Sequence, residues 1–127
     1  MKTAYLDCAS GISGDMTLGA LVDAGVDLHA IQAGIQSLGL ENCEVTAEEV
    51  QKNGFRATQI KIEHPPEHAH RHLIDITRMI DGSQLSPNQK QTAKNIFARL
   101  GEAEAKVHGT TLDKVHFHEV GAVDSIA

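Results

Sequence analysis

The sequence predicts an α/β domain: a mixed β-sheet with helices packed on it. Three observations carry that expectation. Stretches with apolar residues at helical spacing alternate with shorter stretches of strand-like pattern. The pair Asn53-Gly54 stands between two strand-like stretches, and both residue types tolerate the positive φ that a tight hairpin turn needs. Aromatic content is only 3% with no Trp, so the core must be assembled from Leu, Ile, Val and Ala contributed by several elements.

Taken in order, "KTAYLD" reads as a short strand ending at Asp7, and "CASGISGD" as a Gly/Ser loop. Met16, Leu18, Leu21 and Val22 then follow a helical spacing, with Ser13 as N-cap and Gly25 as the stop. Asp27 caps a second helix whose face carries Leu28, Ile31, Ile35 and Leu38, and Gly39 ends it. "CEVTAEEVQ" and "FRATQIKIE" are two strands joined at Asn53-Gly54. Two prolines make "HPPEHAHR" a loop. A helix over roughly 72–81 follows, with Leu73, Ile76 and Ile80 on one face. Ser86-Pro87 starts the next helix, Ser as N-cap and Pro in the first turn. Its apolar face is Ala93, Ile96, Phe97, Leu100 and Val107. "HGTTLDKV" breaks it, and "VHFHEV" alternates as a strand does. The expected order is β-α-α-β-β-α-α-β in a single domain over residues 1–127. Glu102 and Lys106 form an ordinary i, i+4 surface pair with no assigned role.

Composition excludes several classes. The net charge is −6, against the basic balance of nucleic-acid-binding domains. No apolar run reaches the length of a membrane span, and "MKTAYLDCAS" lacks the pattern of a secretory leader, so the expected location is cytoplasmic. Cys8 and Cys43 have no CxxC spacing and are expected as free thiols. The unusual count is histidine, with eight residues, six of them in two groups.

Three constellations could carry chemistry. In "YLDCASGISGDM" a strand, a Gly/Ser loop and a helix start succeed one another, which aims backbone N–H groups at an anion. Ser10, Gly11, Ser13 and Gly14 would hold a phosphate or carboxylate there, with Asp7 and Asp15 as ligands for a hard cation. The loop lacks the GK[ST] ending of a P-loop, and a plain turn with a Ser cap accounts for it equally simply. In "HPPEHAHRH", His68, His70 and His72 alternate, and imidazole suits Ni, Zn and Cu. Glu67 and Asp75 could add oxygen ligands; a solvated polar loop is the plain alternative. In "HFHEVGAVDSIA", His116 and His118 share one face of a strand while Val115 and Phe117 share the other. Glu119 and Asp124 follow, giving metal ligands or acid–base groups, or simply a surface-facing strand edge.

"YLDCASGISGDMTLGALVDAGVD", "HAHRHLIDI" and "AEAKVHG…VHFHEVGAVDSI" together resemble, in order, the N-terminal part of the LarC-type nickel insertion proteins. That resemblance implies an enzyme of the lyase class, a nickel cyclometallase. It would insert Ni²⁺, as substrate, into pyridinium-3,5-bisthiocarboxylic acid mononucleotide. It would consume CTP with Mg²⁺ or Mn²⁺, and the product would be the nickel-pincer cofactor of lactate racemase-type enzymes. Under it, the Ser10–Asp15 loop suits the ligand's phosphate or the triphosphate. His68, His70, His72, His116 and His118 suit nickel, with Asp7, Asp15 and Asp124 as further metal ligands. Glu119 or His118 suits the base. Implied partners are the mononucleotide, a C-terminal CTP-binding domain of the same protein absent from this chain, and a further copy in a homo-oligomer. Nucleic acid and membrane are not among them. The residues alone also allow a nickel or zinc carrier, or a metal-assisted phosphohydrolase using Asp7 and Asp15.

Overall fold

A computed structural model describes residues 3–65, 71–117 and 123–127, with backbone alone at 116, 123 and 124. The chain is mixed α/β, as expected. Helices α1 (Gly14–Asp23) and α2 (Leu28–Gln36) precede a hairpin of β1 (Glu44–Lys52) and β2 (Phe55–Glu63). A short strand β3 (Arg71–His72) leads into α3 (Leu73–Gly82) and the long α4 (Pro87–His108). A 3-10 turn over Leu112–Lys114, strand β4 (His116–Phe117) and a last turn of helix α5 (Val123–Ile126) follow.

The hairpin forms where Asn53-Gly54 puts it. Asn53 has φ 50° and Gly54 φ 84°, and Lys52 faces Phe55 across the turn. Its inner face, Val45 with Ile60 and Ile62, packs against α1 and α2. Asp27 caps α2 by accepting from the His29 N–H at 3.0 Å. Ser86 and Gln89 close both bonds of a capping box at α4, and Gly109 ends that helix in the left-handed region at φ 60°. Near the free end of α1, Arg56 meets Asp23 at 2.9 Å. The Thr58 hydroxyl and the Arg56 guanidinium hold the Asp23 carboxyl below the usual carboxylate range.

Four expectations are corrected. "KTAYLD" is not a strand: residues 3–7 are irregular, with Tyr5 90% and Leu6 63% exposed. A β pattern becomes a strand only where another strand accepts its hydrogen bonds, and among the described residues none lies beside it. Nor is there one mixed sheet. Among the described residues β1 pairs only with β2, and β3 only with β4, both antiparallel. Without the first strand, and with β3 and α5 added, the expected β-α-α-β-β-α-α-β order is replaced among the described residues by α-α-β-β-β-α-α-β-α. Ser13 stands at the N-cap of α1, yet its hydroxyl donates to Asp15 and makes no cap bond to a first-turn N–H. On α4, Ile96 is 62% and Val107 80% exposed. At about 100° per residue they fall on an arc beside the Phe97–Gly101 stripe that meets the core. The buried centre is Ile35, Leu38, Leu40, Val45, Ile60, Ile76, Ile80, Phe97, Val115, Phe117 and Ile126.

Candidate metal centre and anion groove

The β3–β4 ribbon joins two stretches that the sequence separates by more than forty residues. Its register sets His72 opposite His116 and Arg71 opposite Phe117. Directly opposed residues of an antiparallel pair occupy one face, with Cβ atoms about 4.5–5.5 Å apart. Thus the end of the middle histidine stretch and the start of the closing one share a register position. The ribbon is held from its other face. Val115 and Phe117 are both 1% exposed, and the Phe117 ring meets Phe97 edge to face at 6.3 Å. Gly101 leaves room for this packing, since a Cβ there would lie 3.4 Å from Phe117 and 2.8 Å from Leu112.

His72 is fixed in three ways. It is the N-cap of α3 with extended backbone, φ −83° and ψ 161°. Its N–H donates to the Asp75 carboxylate at 3.0 Å. Its Nδ1 lies 3.2 Å from the Val115 carbonyl oxygen. The ring is thus held at that carbonyl, and the same side chain accepts from the Asp75 N–H in the capping box of α3. Metal-binding histidines are commonly oriented in this manner, by a backbone carbonyl on the other ring nitrogen. Asp75, expected as an oxygen ligand, here accepts the backbone N–H of His72 as the N3 residue of the α3 cap.

A second site lies at the start of α1. Ser13, Gly14, Asp15, Thr17 and Leu18 line a groove of about 700 Å³ with Ile60, Ile62, Ser125 and Ala127. Because the Ser13 hydroxyl turns to Asp15, it caps none of the first-turn N–H groups of α1. The Asp15 carboxylate occupies the same turn, so the groove mixes donors with one negative charge. Gly11, at φ 81°, closes the turn before it by donating its N–H to the Cys8 carbonyl at 2.9 Å. Ser125 belongs to α5, the end of the closing motif. The Gly/Ser loop and the closing motif therefore line one groove.

The structure thus brings together His72 and His116 along the ribbon, and Ser13, Gly14 and Asp15 along the groove. Ser10, Gly11 and Asp7 are exposed and do not line it. Of the two expected hard-cation ligands, Asp15 lines the groove. Among the described residues no three His, Cys, Asp or Glu side chains cluster as a metal site. His68, His70, His118 and Glu119 lie outside the described residues, as do Glu67 and the side chains of His116 and Asp124. Sequence reasoning missed Ser125, Thr17 and the Val115 carbonyl. Ser125 stands in the quoted closing motif and could have been found there; a carbonyl carries no side-chain signal.

The fold and these two features define a mixed α/β chain with His72 on a short ribbon and the first turn of α1 in a groove. The sequence pattern of the nickel insertion protein family matches residues 4–127, and the chain belongs to that family. It is 61% identical to a putative nickel insertion protein of Rhodopirellula baltica, over 99% of this chain and 32% of that one. It is 54% identical to the pyridinium-3,5-bisthiocarboxylic acid mononucleotide nickel insertion protein of Desulfitobacterium hafniense, over 99% of this chain and 31% of that one. The protein of the same name from Geobacillus kaustophilus is 48% identical, over 99% of this chain and 33% of that one. The chain thus spans about a third of the length of these relatives. No solved structure matches it significantly. No described helix is long and apolar enough to cross a membrane.

Proposed function

We propose that this chain is the nickel-receiving, N-terminal part of a protein that inserts Ni²⁺ into pyridinium-3,5-bisthiocarboxylic acid mononucleotide. The observation that carries the proposal is the His72–His116 register pair, with the His72 ring held beside the Val115 carbonyl. Imidazole and thiocarboxylate both suit nickel, a borderline metal, so the ion can pass from protein nitrogen to substrate sulfur. His68, His70 and His118 flank this pair in sequence and complete the proposed ligand set, with Asp124 as a further donor. The phosphate of the mononucleotide would rest against the first turn of α1, on Ser13 and Gly14, with Ser10 and Gly11 closing over it. Glu119 or His118 would take the proton from the ring carbon as its bond to nickel forms.

CTP consumption, its Mg²⁺ or Mn²⁺, and delivery of the product to lactate racemase-type enzymes belong to the reading of the whole protein. We place the nucleotide-binding domain beyond this chain, and the protein in the cytoplasm. A nickel or zinc carrier is the second reading, favoured by the ribbon alone; the groove argues for an organic ligand as well. Metal-assisted phosphate hydrolysis is the third reading; of its two carboxylates, Asp15 lines the groove.

Calorimetric titration with Ni²⁺ tests the reading. His72→Ala and His116→Ala should each weaken binding roughly tenfold or more, at least the loss that follows removal of an orienting group. Equal affinity in wild type and both variants would remove the ribbon from the metal site. A carrier would bind nickel and ignore the mononucleotide, whereas an insertion domain binds both.

A further inference from the structure

We propose that β2 is a self-association edge, and that two copies of this chain join through it into a continuous four-stranded antiparallel sheet. The inference is independent of the nickel reading and begins with the hairpin's hydrogen-bond parity. Lys52 and Phe55 flank the two-residue turn, so they form a hydrogen-bonded pair and the bonding alternates from there. Arg56, Thr58, Ile60 and Ile62 therefore direct their N–H and C=O groups away from β1. The same parity on β1 sends the Val45 carbonyl outward, and there the Gln32 Nε2 of α2 donates to it at 2.7 Å. On β2, α1 covers the outward carbonyl of Thr58: a Cβ on Gly19 would lie 2.7 Å from that oxygen. Past this crossing, no backbone hydrogen bond between described residues uses the outward groups of Ile60 or Ile62. An open strand edge of this kind is a template for another strand.

The charge pattern selects a second copy as the occupant. Antiparallel pairing centred on Ile62 sets Ile62 opposite Ile62 of the other copy. It also sets Lys61 opposite Glu63 twice, once on each side of the twofold axis. Both pairs are of opposite sign, and they lie on the water-facing side of the hairpin, where Lys61 already meets Glu48 at 2.5 Å. Moving the centre to Lys61 would put two lysines face to face, so the charges fix the register. The pairing window runs from residue 60 to 64, bounded by α1 at Thr58 and by Pro65, which has no N–H.

The test is sedimentation equilibrium of the full chain, with amide exchange as a second readout. Wild type should show a concentration-dependent monomer–dimer equilibrium. Lys61→Glu and Glu63→Lys should each weaken it by roughly tenfold, because two attractive pairs become repulsive. The double variant Lys61→Glu/Glu63→Lys restores both pairs and should recover the dimer. In the dimer, the Ile60 and Ile62 amides should exchange more slowly than in dilute monomer. A chain that stays monomeric at all concentrations overturns the proposal. So does a dimer indifferent to all three variants, or slow exchange at Ile60 and Ile62 in dilute monomer, which would mean that another part of the same chain covers the edge.

Discussion

Phe117→Ala will lower the stability of the chain by about 3–5 kcal/mol, the range for removing a buried aromatic ring. The ring is 1% exposed, so the deletion leaves a void that the surrounding residues fill only in part. It also removes the edge-to-face contact with Phe97, worth about 0.5–1.5 kcal/mol beyond burial. The void opens under the β3–β4 ribbon, which Phe117 anchors to α4 through Phe97. Urea unfolding checks this: the midpoint should fall while the slope is unchanged. Phe117→Leu should recover a good part of the loss, since it fills much of the volume. An alanine variant as stable as wild type would mean that the ribbon is not packed as described.

Gly19→Val is expected to destabilise by about 1–3 kcal/mol or slightly more, through overpacking. A Cβ at position 19 would sit 2.7 Å from the Thr58 carbonyl oxygen, and backbone cannot swing aside as a side chain can. α1 must lift from β2, which loosens the groove at its first turn as well. Gly34→Ala is the contrasting case. Its nearest obstacle is the flexible end of Leu85 at 3.3 Å, and alanine gains about 1 kcal/mol of helix propensity over glycine. That variant should unfold near the wild-type midpoint or slightly above it, while Gly19→Val falls well below. Thermal or urea midpoints of the two variants decide the matter.

What was legible in the sequence was local. Asn53-Gly54, Asp27 and Ser86-Pro87 each impose a backbone conformation on their own neighbourhood, and each turn or cap forms where they stand. The alternation of Val115 and Phe117 likewise marked the buried face of β4. What failed was pairing. Tyr5 and Leu6 have a strand's pattern, but a pattern does not supply a partner, and here they stay exposed. The apolar arc of α4 was too wide to show which part meets the core, so Ile96 and Val107 were misplaced while Phe97 was not. For the candidate site, residue types were readable and their meeting was not. No spacing in the sequence says that His72 and His116 become register partners, or that Ser125 faces Ser13 and Gly14 across one groove. Both depend on where the chain returns after α4, a consequence of how Phe117 packs on Phe97.

The central claim is that His72 and His116 hold nickel from the β3–β4 ribbon. X-ray absorption at the nickel edge, on the chain loaded with one equivalent of Ni²⁺, addresses it most directly. The account predicts multiple-scattering features of imidazole that weaken in His72→Ala and in His116→Ala, and weaken further in the double variant. A spectrum unchanged in the double variant, with nickel still bound, would contradict it.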